Sequence, residues 1–212
     1  TEHQELLSAL RSRFETEDRK VLENRVETIG PAISSQLRER SWTAGLAVVF
    51  AIIFYVAYAF RKISKPVQSW KYGIIAVIAL IHDVTITIGV FTVLGSLYGV
   101  EIGIPFIVAL LTILGYSVND TIVVFDRIRE TLIKRAHDSF EDIVNYSVNS
   151  TLQRSINTSF TVLLGLIGLY VFGGDSVRYF ALALIVGIIA GTYSSIFLAS
   201  PLLVVWQKWS KS

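Results

Sequence analysis

The chain contains no cysteine, no methionine and only 4 prolines among 212 residues. Without cysteine there is no disulfide framework, no thiolate metal site and no thiol nucleophile. Without methionine, a chain beginning at Thr1 cannot start at its own initiator, so a fragment of a longer protein is expected. Charge is scarce too. Asp, Glu, Lys and Arg make up 17%, and the net charge of +2 is too small a surplus to predict a nucleic-acid partner. The first residues are charged rather than apolar, which does not match a cleavable secretory signal.

What the chain has in excess is apolar surface. Apolar residues make up 52% and mean hydropathy is +0.56, although residues 1–40 are mostly polar. The rest is therefore more hydrophobic than a soluble core. Runs near twenty residues long fall at about 42–60, 72–97, 103–125, 156–172 and 179–206. The fold class these predict is an all-α polytopic membrane protein with five spans over residues 41–212.

Residues 1–40 read as the end of an extracytoplasmic domain. Leu6, Leu7, Leu10 and Phe14 recur at helical spacing, and 20–29 alternates like a strand before Gly30 and Pro31 break the run. One helix and one strand cannot bury a core, so this predicts the tail of a larger α+β domain.

Short loops orient the spans. Residues 61–71 carry Arg61, Lys62, Lys65 and Lys71 with no acidic residue, and the connection after Asp126 carries Arg127, Arg129, Lys134 and Arg135. Loops 98–102 and 173–177 carry no basic residue. Positive charge marks the cytoplasmic side, which places the N-terminal segment outside and the C-terminus in the cytoplasm. Between the third and fourth spans, SFED at 139–142 resembles a capping box. It predicts a cytoplasmic interfacial helix over about 139–150, lying against membrane lipid.

The polar residues inside the spans carry the chemistry. A carboxylate at the centre of a membrane helix costs roughly 2.5–3.5 kcal/mol on insertion scales, so such a residue is read as functional by default. Asp120 is such a residue. Tyr116, Asn119 and Asp120 are placed on one face of the third span, with Thr112 one turn earlier and Thr121 as a further supporting polar residue, and Arg154, Asn157, Thr158 and Thr161 on one face of the fourth. Asp120 lies about 9 Å inside Asp126 at 1.5 Å per residue, and Arg154 at similar depth, so the two are expected to be able to pair. The competing reading is a structural salt bridge stapling two helices. His82 and Asp83 form a second intramembrane polar site, either a proton relay or a hydrogen-bonded tie. Gly187, Gly191 and Ser195 make a small-residue stripe for close helix packing, expected to call for a second helical bundle. An intramembrane aspartyl protease would need two aspartates, which Asp83 and Asp120 superficially supply. An arginine beside Asp120 suits a shared-proton dyad poorly.

These motifs resemble one family. GYSVNDTIVVFDRIRE at 115–130 is similar to the signature of the SecF family, and IHDVTITIG at 81–89 and RSINTS at 154–159 resemble its motifs in the flanking spans. The resemblance implies the resistance–nodulation–division (RND) superfamily fold, six spans per repeat with a periplasmic domain between the first two. The five spans here would be the second to sixth. It implies a multi-pass protein of the bacterial cytoplasmic membrane that uses the proton-motive force with SecD to draw preproteins from the SecYEG translocon, with YajC as a further partner. It implies no cofactor, no metal and no covalent chemistry. Asp120 falls where the family keeps its proton-carrying aspartate and Arg154 where it keeps an essential arginine. The alternative within the superfamily is a proton-coupled small-molecule transporter.

Reporter fusions test the orientation. A reporter after Ser212 should read as cytoplasmic and one before Ser41 as external; a fusion at Lys62 that reads as external would overturn this topology.

Overall fold

The structure, a computed structural model, describes residues 2–14, 31–59, 67–100 and 102–210. They are helical apart from short turns: α1 (Glu2–Phe14), α2 (Pro31–Ala59), α3 (Ser69–Tyr98), α4 (Ile104–Lys134), α5 (Phe140–Phe172), α6 (Asp175–Ser194) and α7 (Ser200–Trp209). A π-type turn at Ser195–Ala199 joins α6 to α7. The chain divides at Arg40 into two compact units, Thr1–Arg40 and Ser41–Ser212. The first contains α1, whose Leu10 and Phe14 side chains are exposed. The strand expected over 20–29 lies outside the described residues.

The second unit is an all-α membrane bundle. Among the described residues, four helices are long and apolar enough to cross a membrane: Ser69–Tyr98, Ile104–Lys134, Phe140–Phe172 and Val177–Trp209. The span expected at 42–60 corresponds to the shorter apolar stretch Thr43–Val56 within α2. Local chemistry sets the helix ends. Gly99 closes α3 with φ 67°, a left-handed conformation that costs glycine nothing, and its N–H bonds to Gly95 O at 3.1 Å. Pro105 sits in the first turn of α4, where its missing N–H is harmless. Ser139 caps α5 by accepting from the Asp142 N–H at 3.2 Å.

That cap starts a longer helix than expected. The interfacial helix predicted over 139–150 is no separate element but the first turns of α5, which runs unbroken through residue 156 and on to Phe172. No glycine or proline interrupts 140–160, and Phe140, Ile143, Val144, Ser147 and Thr151 keep one buried face across the expected break.

Helix α6 packs against α3, α4 and α5 and so holds the bundle together. Its glycines make this approach close. A Cβ at Gly187 would overlap the Ile113 side chain, and one at Gly191 would come within 3.0 Å of Ser117 Cβ. The small-residue stripe is therefore consumed inside the chain, against α4, rather than left for a second bundle. Gly73 plays a similar part between α3 and α2, where an added Cβ would lie 3.2 Å from Ile53 O.

Two apolar clusters result. One gathers Val56, Tyr72, Ile75, Leu80, Val124, Phe125, Ile128, Ile143 and Leu203, with the Tyr72 and Phe125 rings edge to face at 5.2 Å. The other gathers Phe91, Phe106, Ala109, Ile113, Ala183 and Leu184. Between them, on every one of the four long spans, the buried positions turn polar: Asp83 and Thr87, Ser117 and Thr121, Ser155 and Ser159, Ser194 and Ser195. At the end of the bundle nearer the first cluster, Lys71 reaches Ser210 Oγ at 3.1 Å, Trp70 meets Trp206 edge to face at 5.7 Å, and Lys208 pairs with Glu141 at 2.6 Å. These aromatic and charged residues suit a membrane–water boundary.

Gly187→Ala should destabilise the bundle by about 1–3 kcal/mol, the cost of overpacking a filled core. Thermal unfolding of the purified protein in detergent measures this. Adding Ile113→Ala should recover part of the loss, whereas a stable single variant would mean that α4 and α6 are not in close contact.

Candidate functional site in the buried polar layer

Two carboxylates occupy the polar layer. Asp83 on α3 is fully buried. Its Oδ2 accepts from Ser117 Oγ on α4 and from Ser194 Oγ on α6, the latter at 2.9 Å. Its Oδ1 lies 3.0 Å from His82 Nδ1. His82 is partly exposed and stacks on Tyr193 of α6, ring centroids 6.3 Å apart. Asp83 thus ties three helices at one point, and each of its oxygens has a partner, as a buried carboxylate requires.

Asp120 on α4 differs. Its Oδ1 accepts from Ser155 Oγ on α5 at 2.7 Å, while Oδ2 is buried without a hydrogen bond. Ser195 is fully buried in the layer, donates to Gly191 O at 2.8 Å and lies 3.0 Å from Thr121 Oγ1. Further hydroxyls extend the layer, with Tyr116 OH reaching Ser159 Oγ at 3.4 Å and Ser159 meeting Thr192 Oγ1 at 2.5 Å.

Arg154 does not join this cluster as expected. It is exposed, and no ion pair links it to Asp120. Helix geometry explains the offset. The buried face of α5 runs through Ser147, Thr151, Ser155 and Ser159, and Arg154 is one residue, about 100°, off that line. Arg154 instead lines a cleft of about 520 Å³ with Ile122, Val123, Asp126, Arg127, Glu130, Ser150 and Thr151. In the cleft, Arg127 pairs with Glu130 at 2.7 Å and donates to Ser150 Oγ at 2.9 Å.

The supporting residues divide the same way. Thr121 is buried in the layer, bonded to Ser117 O at 3.2 Å. Asn119, Asn157 and Thr158 are exposed. Asn119 cannot share the inner face, because it stands two residues, about 200°, from Ser117. The residues that sequence reasoning missed are the small hydroxyls Ser117, Ser155, Ser159 and Ser194. For Ser155 and Ser159 a signal existed in the four-residue recurrence of Ser and Thr from 147 to 159. Among the described residues, no three His, Asp or Glu side chains cluster as a metal set would.

The chain has close relatives. The sequence profile described as protein export membrane protein SecD/SecF, C-terminal, matches residues 9–209. The chain is 49% identical over 206 residues to the protein translocase subunit SecF of Thermobaculum terrenum, which covers 97% of this chain and 63% of that protein. It is 44% identical to the SecF of Synechocystis, over 87% of this chain and 56% of that protein. Identity to the protein translocase subunit SecDF of Thermus thermophilus is 45% over 186 residues, or 88% of this chain and 24% of the other. A crystal structure of SecDF in a super-membrane-facing form superposes with a TM-score of 0.74 at 38% identity, covering 99% of this chain and 26% of that one. The chain thus spans less than two thirds of the length of the curated SecF relatives it matches.

Asp83→Ala removes the shared acceptor of Ser117 and Ser194, and the loss should cost about 1–3 kcal/mol. Asp83→Asn, which keeps one acceptor oxygen, should cost less. The comparison is made by thermal unfolding in detergent; equal stability of Asp83→Ala and the parent would mean that Asp83 does not tie the helices.

Proposed function

Because the chain belongs to the SecD/SecF family of protein export membrane proteins, we propose that it works as a SecF-type subunit that uses the proton-motive force in protein export. Its partners in this reading are SecD, the SecYEG translocon, YajC and the exported preprotein, and it performs no covalent chemistry of its own. It sits in the bacterial cytoplasmic membrane, with residues 1–40 ending an external domain and the C-terminus in the cytoplasm.

The observation that carries the reading is Asp120. It is a carboxylate in the middle of a membrane helix, with one oxygen held by Ser155 and the other buried without a hydrogen bond. A carboxyl group used only to fix structure would have both oxygens bonded, as Asp83 does. This asymmetry supports a role for Asp120 in taking and giving a proton.

Arg154 supplies the second half of the cycle. Arginine keeps its charge under all working conditions, so it is a fixed counter-charge. When Asp120 is ionised, the attraction between the two draws α4 and α5 together on the side of the Arg154 cleft. When Asp120 takes a proton, that attraction disappears and the guanidinium returns to the cleft, beside Asp126 and Glu130. An unexposed change of one charge thereby becomes a change in helix position. Each proton moved inward releases roughly 2.3 kcal/mol per 100 mV. Since about 1.4 kcal/mol is a factor of ten in an equilibrium, one proton biases two helix arrangements by more than tenfold. Coupled to an external domain, the bias becomes a pull on the exported chain.

Asp120→Asn keeps the side-chain shape and removes the titrating proton. The complex should assemble, and export in vesicles should no longer respond to an imposed proton gradient, while ATP-driven early export continues. Arg154→Lys keeps a charge without the planar fork and should leave a severe but partial defect. Gradient-dependent stimulation that survives Asp120→Asn would refute the relay.

A further inference from the structure

We infer that Ser155 is a positioning residue through which the charge on Asp120 holds or releases helix α5. The inference rests on the proposed proton cycle and names the contact that transmits it.

Ser155 is fully buried and donates to Asp120 Oδ1 at 2.7 Å, which joins this carboxyl group to the neighbouring helix. Other hydroxyls on α5 behave differently. Ser147, Ser150, Thr151, Thr158 and Thr161 each reach a carbonyl three or four residues earlier on their own helix. That is the usual local partner of a serine or threonine hydroxyl inside a helix. The corresponding carbonyl for Ser155 is Thr151 O, one turn back. Besides the lone pair that takes the helix N–H, this carbonyl has a second to offer. A rotation about the Ser155 Cα–Cβ bond, from one staggered position to another, carries the hydroxyl from Asp120 toward Thr151 O. Acceptors on two helices therefore compete for one proton.

The charge on Asp120 decides the competition. A hydrogen bond to an ionised carboxylate is roughly twice as strong as one between neutral groups. With Asp120 ionised, Ser155 stays on Oδ1 and ties α5 to α4. With Asp120 neutral that advantage is gone, and a neutral carboxyl loses less than a carboxylate when the donor leaves. Ser155 then turns to its own helix and keeps its own proton, so the only proton transferred is the one Asp120 takes up. Arg154, the preceding residue, acts in the same sense, because its attraction also depends on the charge of Asp120. Among the described residues, the other titratable or charged groups around the layer are few. On α4, Tyr116 stands one turn from Asp120 and reaches Ser159 of α5. Beyond Ser117 and Ser194 lies the His82–Asp83 pair of α3, against which α6 sets Tyr193. The cleft beside Arg154 holds Asp126, Arg127 and Glu130.

The first test uses the complete translocase in vesicles, with export stimulation by an imposed proton gradient measured across a pH series. Ser155→Ala should move the midpoint of the pH profile by about one unit, the size expected when a hydrogen bond differs about tenfold between two charge states. Ser155→Thr should bring the midpoint back toward the parent, since it restores a hydroxyl. Ser147→Ala removes an equally buried hydroxyl from the same helix face, bonded to Ile143 O and Thr131 rather than to a carboxylate, and should keep the parental midpoint. The second test does not depend on export. Thermal unfolding of the purified complex in detergent, over the same pH series, should show a gap between parent and Ser155→Ala that changes with pH. In an Asp120→Asn background the gap should no longer change. A parental midpoint in Ser155→Ala, equal shifts in Ser155→Ala and Ser147→Ala, or a gap independent of pH would overturn the role of Ser155. Stimulation that survives Asp120→Asn would instead overturn the underlying relay.

Discussion

A polar layer inside a membrane bundle must satisfy itself. The hydrocarbon offers no water, so every buried hydroxyl and carboxyl oxygen needs a partner on a neighbouring helix or on its own backbone. Here the layer is built from Asp83, Ser117, Thr121, Ser155, Ser159, Thr192, Ser194 and Ser195. Several of the hydroxyls return a hydrogen bond to a carbonyl of the preceding turn, as Thr121 does to Ser117 O and Ser195 to Gly191 O. Side chains so short reach across only if the backbones come close. The requirement for satisfaction therefore dictates the helix spacing, and the glycines of α6 supply it. Gly187 against Ile113 and Gly191 against Ser117 bring α6 onto α4 at the level where Ser194 and Ser195 must find their partners.

The two apolar clusters bracket this layer and give it its seclusion. Phe91, Phe106 and Ile113 close one side, and Phe125, Val124 and Leu80 the other. Between them lie two carboxyl groups with different surroundings. Asp83 is bonded from α3, α4 and α6, which makes it a tie among helices. Asp120 is bonded from α5 and keeps one buried oxygen without a hydrogen bond. The same residue type thus has two surroundings because the number of donors around it differs.

Much of this was legible in the sequence. The class of protein, the helical spans after residue 71 and the placing of Asp120 and of the His82–Asp83 pair inside those spans follow from hydropathy. What could not be read was rotation. A face defined by i, i+3 and i+4 fits several orientations of a helix that is apolar all round, and only packing selects one. On α4 the neighbours select Ile113, Ser117, Thr121 and Val124, which turns Asn119 outward. On α5 they select the serine and threonine line and leave Arg154 on the flank. The expected break near residue 150 failed for a related reason. Polar residues there suggested a surface element, yet their buried face is continuous with that of the span. The π-type turn Ser195–Ala199 does have a residue signature, Pro201, which has no N–H to return to Phe197 O or Ile196 O and which sequence reasoning passed over.

Such a layer also determines where the bundle can move. Exchanging one hydroxyl partner for another leaves the number of hydrogen bonds unchanged, so the net free-energy difference between two patterns is small. Separating interdigitated apolar side chains leaves voids and forfeits many contacts at once. The bundle therefore has two stiff ends and a compliant middle. In the proposed cycle a charge change at Asp120 would act in the compliant part, where a small bias is enough to select between arrangements, and the stiff clusters would carry the displacement to the membrane surfaces. Arg154 stands at the edge of that middle, in a cleft shared with Asp126, Arg127 and Glu130. There it lies near other charges, so in the proposed cycle releasing it from Asp120 would not strand an unpaired cation in hydrocarbon. Its exposed position would keep the proposed exchange reversible, which a permanently closed ion pair would oppose.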